Sequence, residues 1–272
     1  MNIFVLKLIR SIKRYTPIVA MVRWINFGVR RFSALTHRFQ FLVEWSVDNP
    51  EYFDHNIDLY SSWHRSRESF PLERGVFSSF ALSPNSKVLD LCCGDGFNSF
   101  YFYSLRAASV TAIDFDREAI RWAKRNYTAR NLIFNVGDIR TDIPEGPFDN
   151  IVWDAAVEHF NEDEIVLITE RIKTVLAPKG ILSGYTIVEP PNGAKHLHQH
   201  EYEFHSKEDL ARFLCPHFKN VHIFETEFPS RTNLYFYATD GVLPFSRENN
   251  LFFQQLLQRY FLSMRQDVLR LE

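Results

Sequence analysis

Apolar residues follow two rhythms along this chain. Over residues 18–42 they recur at helical spacing, as Ile18, Val22, Ile25, Val29, Phe32, Leu35, Phe39 and Leu42, which predicts an amphipathic helix. Pro17 is expected to break an earlier short helix over residues 2–15. From residue 87 onward short apolar runs take over: KVLDLC (87–92), SVTAID (109–114), NLIFNVGD (131–138), FDNIVWDAA (148–156) and GILSGYTIVEP (180–190). Runs of this length, bounded by acids and glycine turns, read as buried strands. Helical segments separate them. GFNSFYFYSLRA (96–107) has room for one helix, and DREAIRWAKRNYTA (116–129) is opened by Asp116. NEDEIVLITERIKTVLAP (161–178) is capped by Asn161 and ended by Pro178-Lys179-Gly180. Alternation of strand and helix predicts a parallel sheet with helices on both faces. Right-handed crossovers then place the strands' carboxyl ends along one edge, where ligands of such sheets bind.

The rhythm changes after residue 205. SKEDLARFLC (206–215) predicts a helix opened by a Ser-x-x-Asp capping pattern. KNVHIFETEF and TNLYFYAT, separated by Pro229-Ser230-Arg231, predict an antiparallel pair closing the sheet. Residues 246–271 predict a further amphipathic helix with Ser246 as its cap. The expected fold is α/β: a three-layer sandwich with a mostly parallel seven-stranded sheet, the last strand antiparallel, and helical extensions at both termini. The expected divisions are 1–79 for basic helices and a segment covering an acceptor, 80–242 for the sheet domain, and 243–272 for the terminal helix.

Composition adds limits. The chain has 272 residues, and its 26 Phe and 11 Tyr suffice to fill a core. A net charge of −2 gives no global reason to expect nucleic acid as a partner. Charge is uneven, however: residues 1–43 hold eight Lys/Arg and no Asp or Glu. Two readings follow, a basic amphipathic element lying on anionic lipid or an acidic partner, and a helix packing its apolar face on the domain with its arginines in water. The first would put the protein peripherally on the inner face of a membrane. The terminal amphipathic helices also make a homodimer plausible. Three cysteines without framework spacing read as reduced thiols in a cytoplasmic setting. Lys7 and Arg10 interrupt the only N-terminal apolar run, so no secretory signal is expected.

The candidate chemistry starts at KVLDLCCGDGFNSFYF (87–102), where a strand ends in Asp90 and a turn carries Gly94-Asp95-Gly96. A dinucleotide site of the G-x-G-x-x-G kind needs a third glycine at position 99, which is Ser99, and Asp90 and Asp95 would repel a pyrophosphate. A cationic ligand with free hydroxyls suits an acid-rich turn better. The stretch Val88-Leu89-Asp90-Leu91-Cys92-Cys93-Gly94-Asp95-Gly96 resembles the first motif of the class I S-adenosylmethionine-dependent methyltransferases, with Cys92 at that motif's first glycine position. The substitution is expected to be tolerated if the backbone there needs no positive φ. The resemblance spans roughly residues 80–240. It implies S-adenosylmethionine as cofactor and S-adenosylhomocysteine as product, bound by Asp90, Cys92, Gly94, Asp95 and Gly96. It implies that Asp114 accepts the ribose hydroxyls, that Asp138 and Ile139 meet the adenine, and that Asp154 lies beside the methionine end. Phe115 and Trp153 would wall the adenosine.

Methyl transfer needs a nucleophile held close, and a general base only when the acceptor loses a proton. Glu158-His159 follows Asp154, and HLHQHEYEFH (196–205) holds His196, His198, His200, Glu201, Glu203 and His205. The polar run from Glu189 to His205 is expected to arch over the cofactor mouth. His200 and Glu201 are the preferred catalytic pair, with His159 the runner-up. A hydrogen-bonded structural loop is the alternative. A metal set is not expected, because the spaced imidazoles lack a second cluster in the sequence to complete a shell. Arg65, Arg67 and Arg74 would serve an anionic acceptor or solvate a helix. The tetrad of amino-methylating DNA enzymes is absent after the fourth strand, so a small-molecule, sugar or lipid-linked acceptor is expected. The competing function is a catalytically silent protein that binds the cofactor and a partner.

Overall fold

The structure is a computed structural model and describes residues 16–44, 70–190, 193, 199–228 and 231–243. The helices expected at 2–15 and 246–271, Arg65, Arg67, His196 and His198 lie outside the described residues.

A long helix, α1 (Thr16–Glu44), comes first, with Pro17 in its opening turn, where the missing N–H costs nothing. α2 follows at Phe70–Ala81. The sheet domain then runs β1 (Lys87–Leu91), α3 (Phe97–Tyr101), β2 (Ser109–Asp114), α4 (Arg117–Asn126) and β3 (Leu132–Val136). It continues with β4 (Phe148–Asp154), α5 (Glu162–Val175), β5 (Leu176–Ile187), α6 (Lys207–Leu214), β6 (Asn220–Glu227) and β7 (Thr232–Thr239). The seven strands lie in the order β3-β2-β1-β4-β5-β7-β6. β7 inserts antiparallel between β5 and β6, and the pairings from β3 to β5 are parallel. The order reverses between β1 and β4, which makes their carboxyl ends a switch-point crevice.

The caps form as the side chains dictate. Asp116 accepts from the N–H groups of Glu118 and Ala119, and Asn161 and Glu164 form a reciprocal capping box. Two boundaries differ from expectation. α5 stops at Val175 and β5 starts at once, with Pro178-Lys179-Gly180 inside an irregularity where the β4 register shifts between Phe148 and Asn150. A strand irregularity tolerates a proline that a regular ladder would not. The helix expected over 96–107 breaks at Phe102 (φ −122°, ψ −60°), and a 3-10 turn at Tyr103–Leu105 carries Tyr103 inward.

Alternate residues of each strand face opposite layers. Leu89, Leu91, Ile113, Ile151, Trp153 and Leu182 pack beneath α5 and α6. Val88, Val110, Ala112 and Val152 pack on the other face with Phe97, Tyr103 and Ile120. α2 adds Phe77 and Ala81 over Tyr185, Tyr235 and Tyr237. α1 does not share in this core: Met21, Ile25, Val29, Phe32, Leu35 and Phe39 are all exposed. The expectation that it would pack its apolar face on the domain is therefore not met. Among the described residues no helix is long and apolar enough to cross a membrane.

Candidate functional site

The strand pleat builds the site. Asp90 pairs in register with Ala112 on β2 and Val152 on β4, and Asp114 and Asp154 stand two residues further along those strands. All three have the parity of Val88, Val110 and Val152, so their carboxyls emerge on one face at one sheet edge. All three are buried. Ser99, from α3, donates its hydroxyl to Asp90. Asp114 accepts from the N–H of Gly94 at 2.8 Å and of Asp116 at 2.9 Å. Asp154 accepts from Tyr103 Oη at 2.6 Å and from Ser78 Oγ of α2 at 3.0 Å.

Burial dominates the electrostatics. Desolvation pushes the Asp90 carboxyl well above the usual carboxylate range against the Ser99 hydrogen bond, and the neighbouring Asp154 and Asp114 charges push it further. Desolvation raises Asp154 to about 6, partly opposed by the Tyr103 hydrogen bond and the Arg74 charge. Carboxyls clustered this way favour a cationic guest, whose charge they would meet without solvent between.

A cavity of ≈ 520 Å³ opens at this edge. Its walls include Asp90, Cys92, Gly94, Asp114, Phe115, Asp138, Ile139 and Asp154, and it continues to Arg74, His159, Gln199 and Glu201. Gly94 has positive φ (+54°) and nothing within 4 Å of the place a Cβ would take, so the turn leaves an open cradle for a ligand. Cys92 also has positive φ (57°), as does Ala155 (φ 52°). The condition on which Cys92 was expected to be tolerated, a backbone without positive φ, is not met: a side chain stands where glycine is favoured, and strain of this kind collects at ligand sites. The described thiols Cys92, Cys93 and Cys215 are all free, and burial raises the first two well above their ordinary range. Asp138 is held by Arg140, whose Nη2 donates to Oδ2 at 2.8 Å and whose Nε donates to Oδ1 at 3.0 Å, which keeps its carboxyl below the usual range.

Four expected site residues do not reach the cavity wall. Asp95 is fully buried and turns its carboxylate onto the N–H of Phe97. Gly96 backs onto the Phe134 ring. Trp153, one residue before Asp154, must face the opposite layer, and its ring packs on Phe160 in the core. His200 is 1% exposed and lies behind the wall. Conversely, Ser78, Tyr103, Ser99, Arg140 and Arg74 were not read from the sequence as partners of these acids. Ser78 and Asp154 are 76 residues apart, and no local pattern joins them.

The far wall of the cavity centres on His159. Its ring meets that of His200 edge to face, centroids 5.1 Å apart. His200 Nδ1 lies 2.8 Å from Glu203 Oε1, and Glu158 accepts from Thr186 Oγ1 at 2.9 Å. The backbone carbonyl of Glu158 accepts from the N–H groups of Glu201 and Tyr202, which ties the loop to the end of β4. His205 instead pairs with Glu189 at 2.5 Å, away from this group. Glu158, His159 and His200 bring one ligand atom each to within 4.8 Å of one another, so the second cluster the sequence lacked exists in space. A tetrahedral ion with bonds of about 2.1 Å holds its ligand atoms about 3.4 Å apart, so the three side chains would have to close in to bind one.

The fit to known proteins follows the same outline. Residues 88–180 match the family profile described as Methyltransferase domain. The chain is 26% identical over 188 residues to a phosphoethanolamine N-methyltransferase of Plasmodium falciparum, covering 64% of this chain and 71% of that protein. It is 30% identical over 116 residues to an uncharacterized methyltransferase of Synechocystis, covering 42% of this chain and 53% of that one. In fold it resembles the N-methyltransferase NodS from Bradyrhizobium japonicum, with a TM-score of 0.51 at 16% identity, covering 62% of this chain and 93% of that one. A Pyrococcus horikoshii protein gives a TM-score of 0.50 at 20% identity, covering 72% and 98%. Matching profile, seven-stranded sheet and acid-lined switch-point cavity together show that this chain carries a methyltransferase domain of the class I, S-adenosylmethionine-dependent family.

Proposed function

We propose that the chain methylates a small-molecule, sugar or lipid-linked acceptor held on the Arg74–His159–Glu201 side of the cavity. The observation that carries this reading is one continuous cavity running from three buried carboxyls around Gly94 to a histidine and a carboxylate at its far wall. S-adenosylmethionine supplies a methyl group on a sulfonium, open to in-line attack. The residues fit it: Asp90 and Asp154 would face its cationic end, the Asp114 carboxylate on the cavity wall is an acceptor suited to ribose hydroxyls, and Ile139 with Phe115 gives the base an apolar wall. Asp138 can take the adenine amino group only alongside Arg140, with which it already shares both oxygens.

His159 rather than His200 is the group in position to take a proton from an acceptor, since it is the one on the wall. His200, braced by Glu203, is its positioning partner. Arg74 offers a cation for an anionic acceptor; its Nε is buried and has no hydrogen-bond partner. Phosphoethanolamine, named for the Plasmodium relative, combines an amine with such an anion and belongs first in a set of trial acceptors.

Calorimetry with S-adenosylhomocysteine should show binding that Asp114→Ala weakens by roughly 30- to 100-fold, the worth of charge-assisted hydrogen bonds. Labelled methyl should pass to a trial acceptor. His159→Ala should slow that transfer by about 100-fold or more while leaving the cofactor Kd unchanged. Binding without transfer to any acceptor would favour the silent cofactor-binding protein. Absent binding would overturn both readings.

A further inference from the structure

We infer that α1 is a surface-seeking helix that lays its apolar face into an anionic lipid bilayer. At 3.6 residues per turn, Met21, Val22, Ile25, Val29, Phe32, Leu35, Phe39 and Val43 fall within about 140° of the helix surface. Each of these side chains is between 46% and 69% exposed. Arg23, Arg30, Arg31 and Arg38 fall within about 100° on the opposite side, all exposed. No acid stands among residues 1–43, and Lys7, Arg10, Lys13 and Arg14 precede the helix in sequence. A basic face opposite a broad apolar face is the signature of a helix lying in a membrane interface, not across it.

Charge complementarity selects the occupant. All 33 Asp and Glu lie beyond residue 43, so the body of this chain is acidic and would itself attract the arginines of a second copy. Among the described residues, however, the acidic body offers no matching apolar stripe. Its exposed large apolar residues among those described are scattered singly or in pairs, as at Leu105, Ile133 with Val136, Val166 with Leu167, and Val242. Anionic lipid supplies both halves of the match, headgroup charge for the arginines and acyl chains for the aliphatics. The acidic body would be held off the same surface, leaving α1 as the attachment. The inference does not depend on turnover, so its failure and that of the proposed reaction are separable.

The test is co-sedimentation of the full chain with vesicles of phosphatidylcholine alone and of phosphatidylcholine mixed with phosphatidylglycerol. Binding should be about tenfold or more stronger to the anionic vesicles and should fade as salt is raised. Trp24, 77% exposed at the border of the apolar face, is the reporter. Its emission, taken as the difference between the natural chain and Trp24→Phe, should shift to shorter wavelength on anionic vesicles. Replacing Arg23, Arg30, Arg31 and Arg38 by Gln should remove the lipid preference. Replacing Phe32 and Phe39 by Ser should remove binding. Both variants should keep S-adenosylhomocysteine affinity, which shows that they fold. Equal binding to both vesicles, or none, would overturn the inference. So would a lipid-free dimer, seen by light scattering, that the same substitutions dissolve; that result would assign the face to a second copy.

Discussion

At Cys92 the motif letter and the backbone disagree. A non-glycine residue with φ of 57° carries a cost of about 1–2 kcal/mol, and here it borders the ligand cradle beside Gly94. Cys92→Gly should therefore match or exceed the natural protein in thermal stability and keep its cofactor affinity, since the thiol is a wall and not a charged contact. Cys92→Val, β-branched in the same backbone, should lose about 1–3 kcal/mol and bind more weakly. Denaturation with and without S-adenosylhomocysteine checks both. The strand-end places of Asp90, Asp114 and Asp154 were legible in the sequence because each closes or nearly closes a short apolar run, and Asp90 is followed by a glycine turn. Trp153 and His200 were misplaced because adjacency in sequence says nothing about which face or which depth a side chain takes.

Helix α2 shows what an element contributes that no motif announces. The sequence offered it only as a helix that Arg74 would solvate, with no bounds, yet it delivers Ser78 to Asp154, Arg74 to the cavity wall and Glu73 to a buried place of its own. Glu73 Oε2 accepts from Thr226 Oγ1 at 2.8 Å and Tyr235 Oη at 2.9 Å, while Oε1 has no partner. Burial pushes this carboxyl up to about 7 against those hydrogen bonds. An acid whose folded pKa is raised keeps its proton in the folded state after the unfolded chain has lost its own, so stability falls as pH rises from about 4.5 towards 7. Glu73→Gln removes that dependence. Thermal melts should find the two proteins alike at acid pH and the variant more stable above neutrality, by at most about 3 kcal/mol. A constant difference across the range would show that Glu73 holds its charge at no cost. α6, by contrast, could be read directly: Ser206 caps the helix as its Ser-x-x-Asp pattern required.

Across the whole molecule, charge is sorted into two bodies: a basic arm without acids and a domain whose carboxyls crowd one edge of a seven-stranded sheet. That crowding predicts a pH dependence of ligand binding. Asp154 is protonated in the free protein below about 6, and a cationic ligand favours its ionised form. S-adenosylmethionine affinity should therefore fall by up to about tenfold per pH unit below 6 and level off above, with S-adenosylhomocysteine, which lacks the sulfonium, giving a shallower curve. Titration calorimetry across that range checks it. Affinity that rises towards acid pH would contradict the electrostatic account of the cavity.

The sequence by itself determined the alternation of strands and helices, the caps, and the three acids with their glycine turn. Each of these depends on neighbours within a few residues, and hydrogen-bonding capacity and side-chain periodicity act at that range. The antiparallel entry of β7 was also legible, because a short Pro-Ser-Arg link leaves a strand pair little other choice. The tertiary structure alone decided which acids are buried and have their pKa values raised, that His159 rather than His200 faces the cavity, and that α1 finds no seat on the domain. Desolvation and contact across 76 residues are sums over groups that only the folded chain brings together.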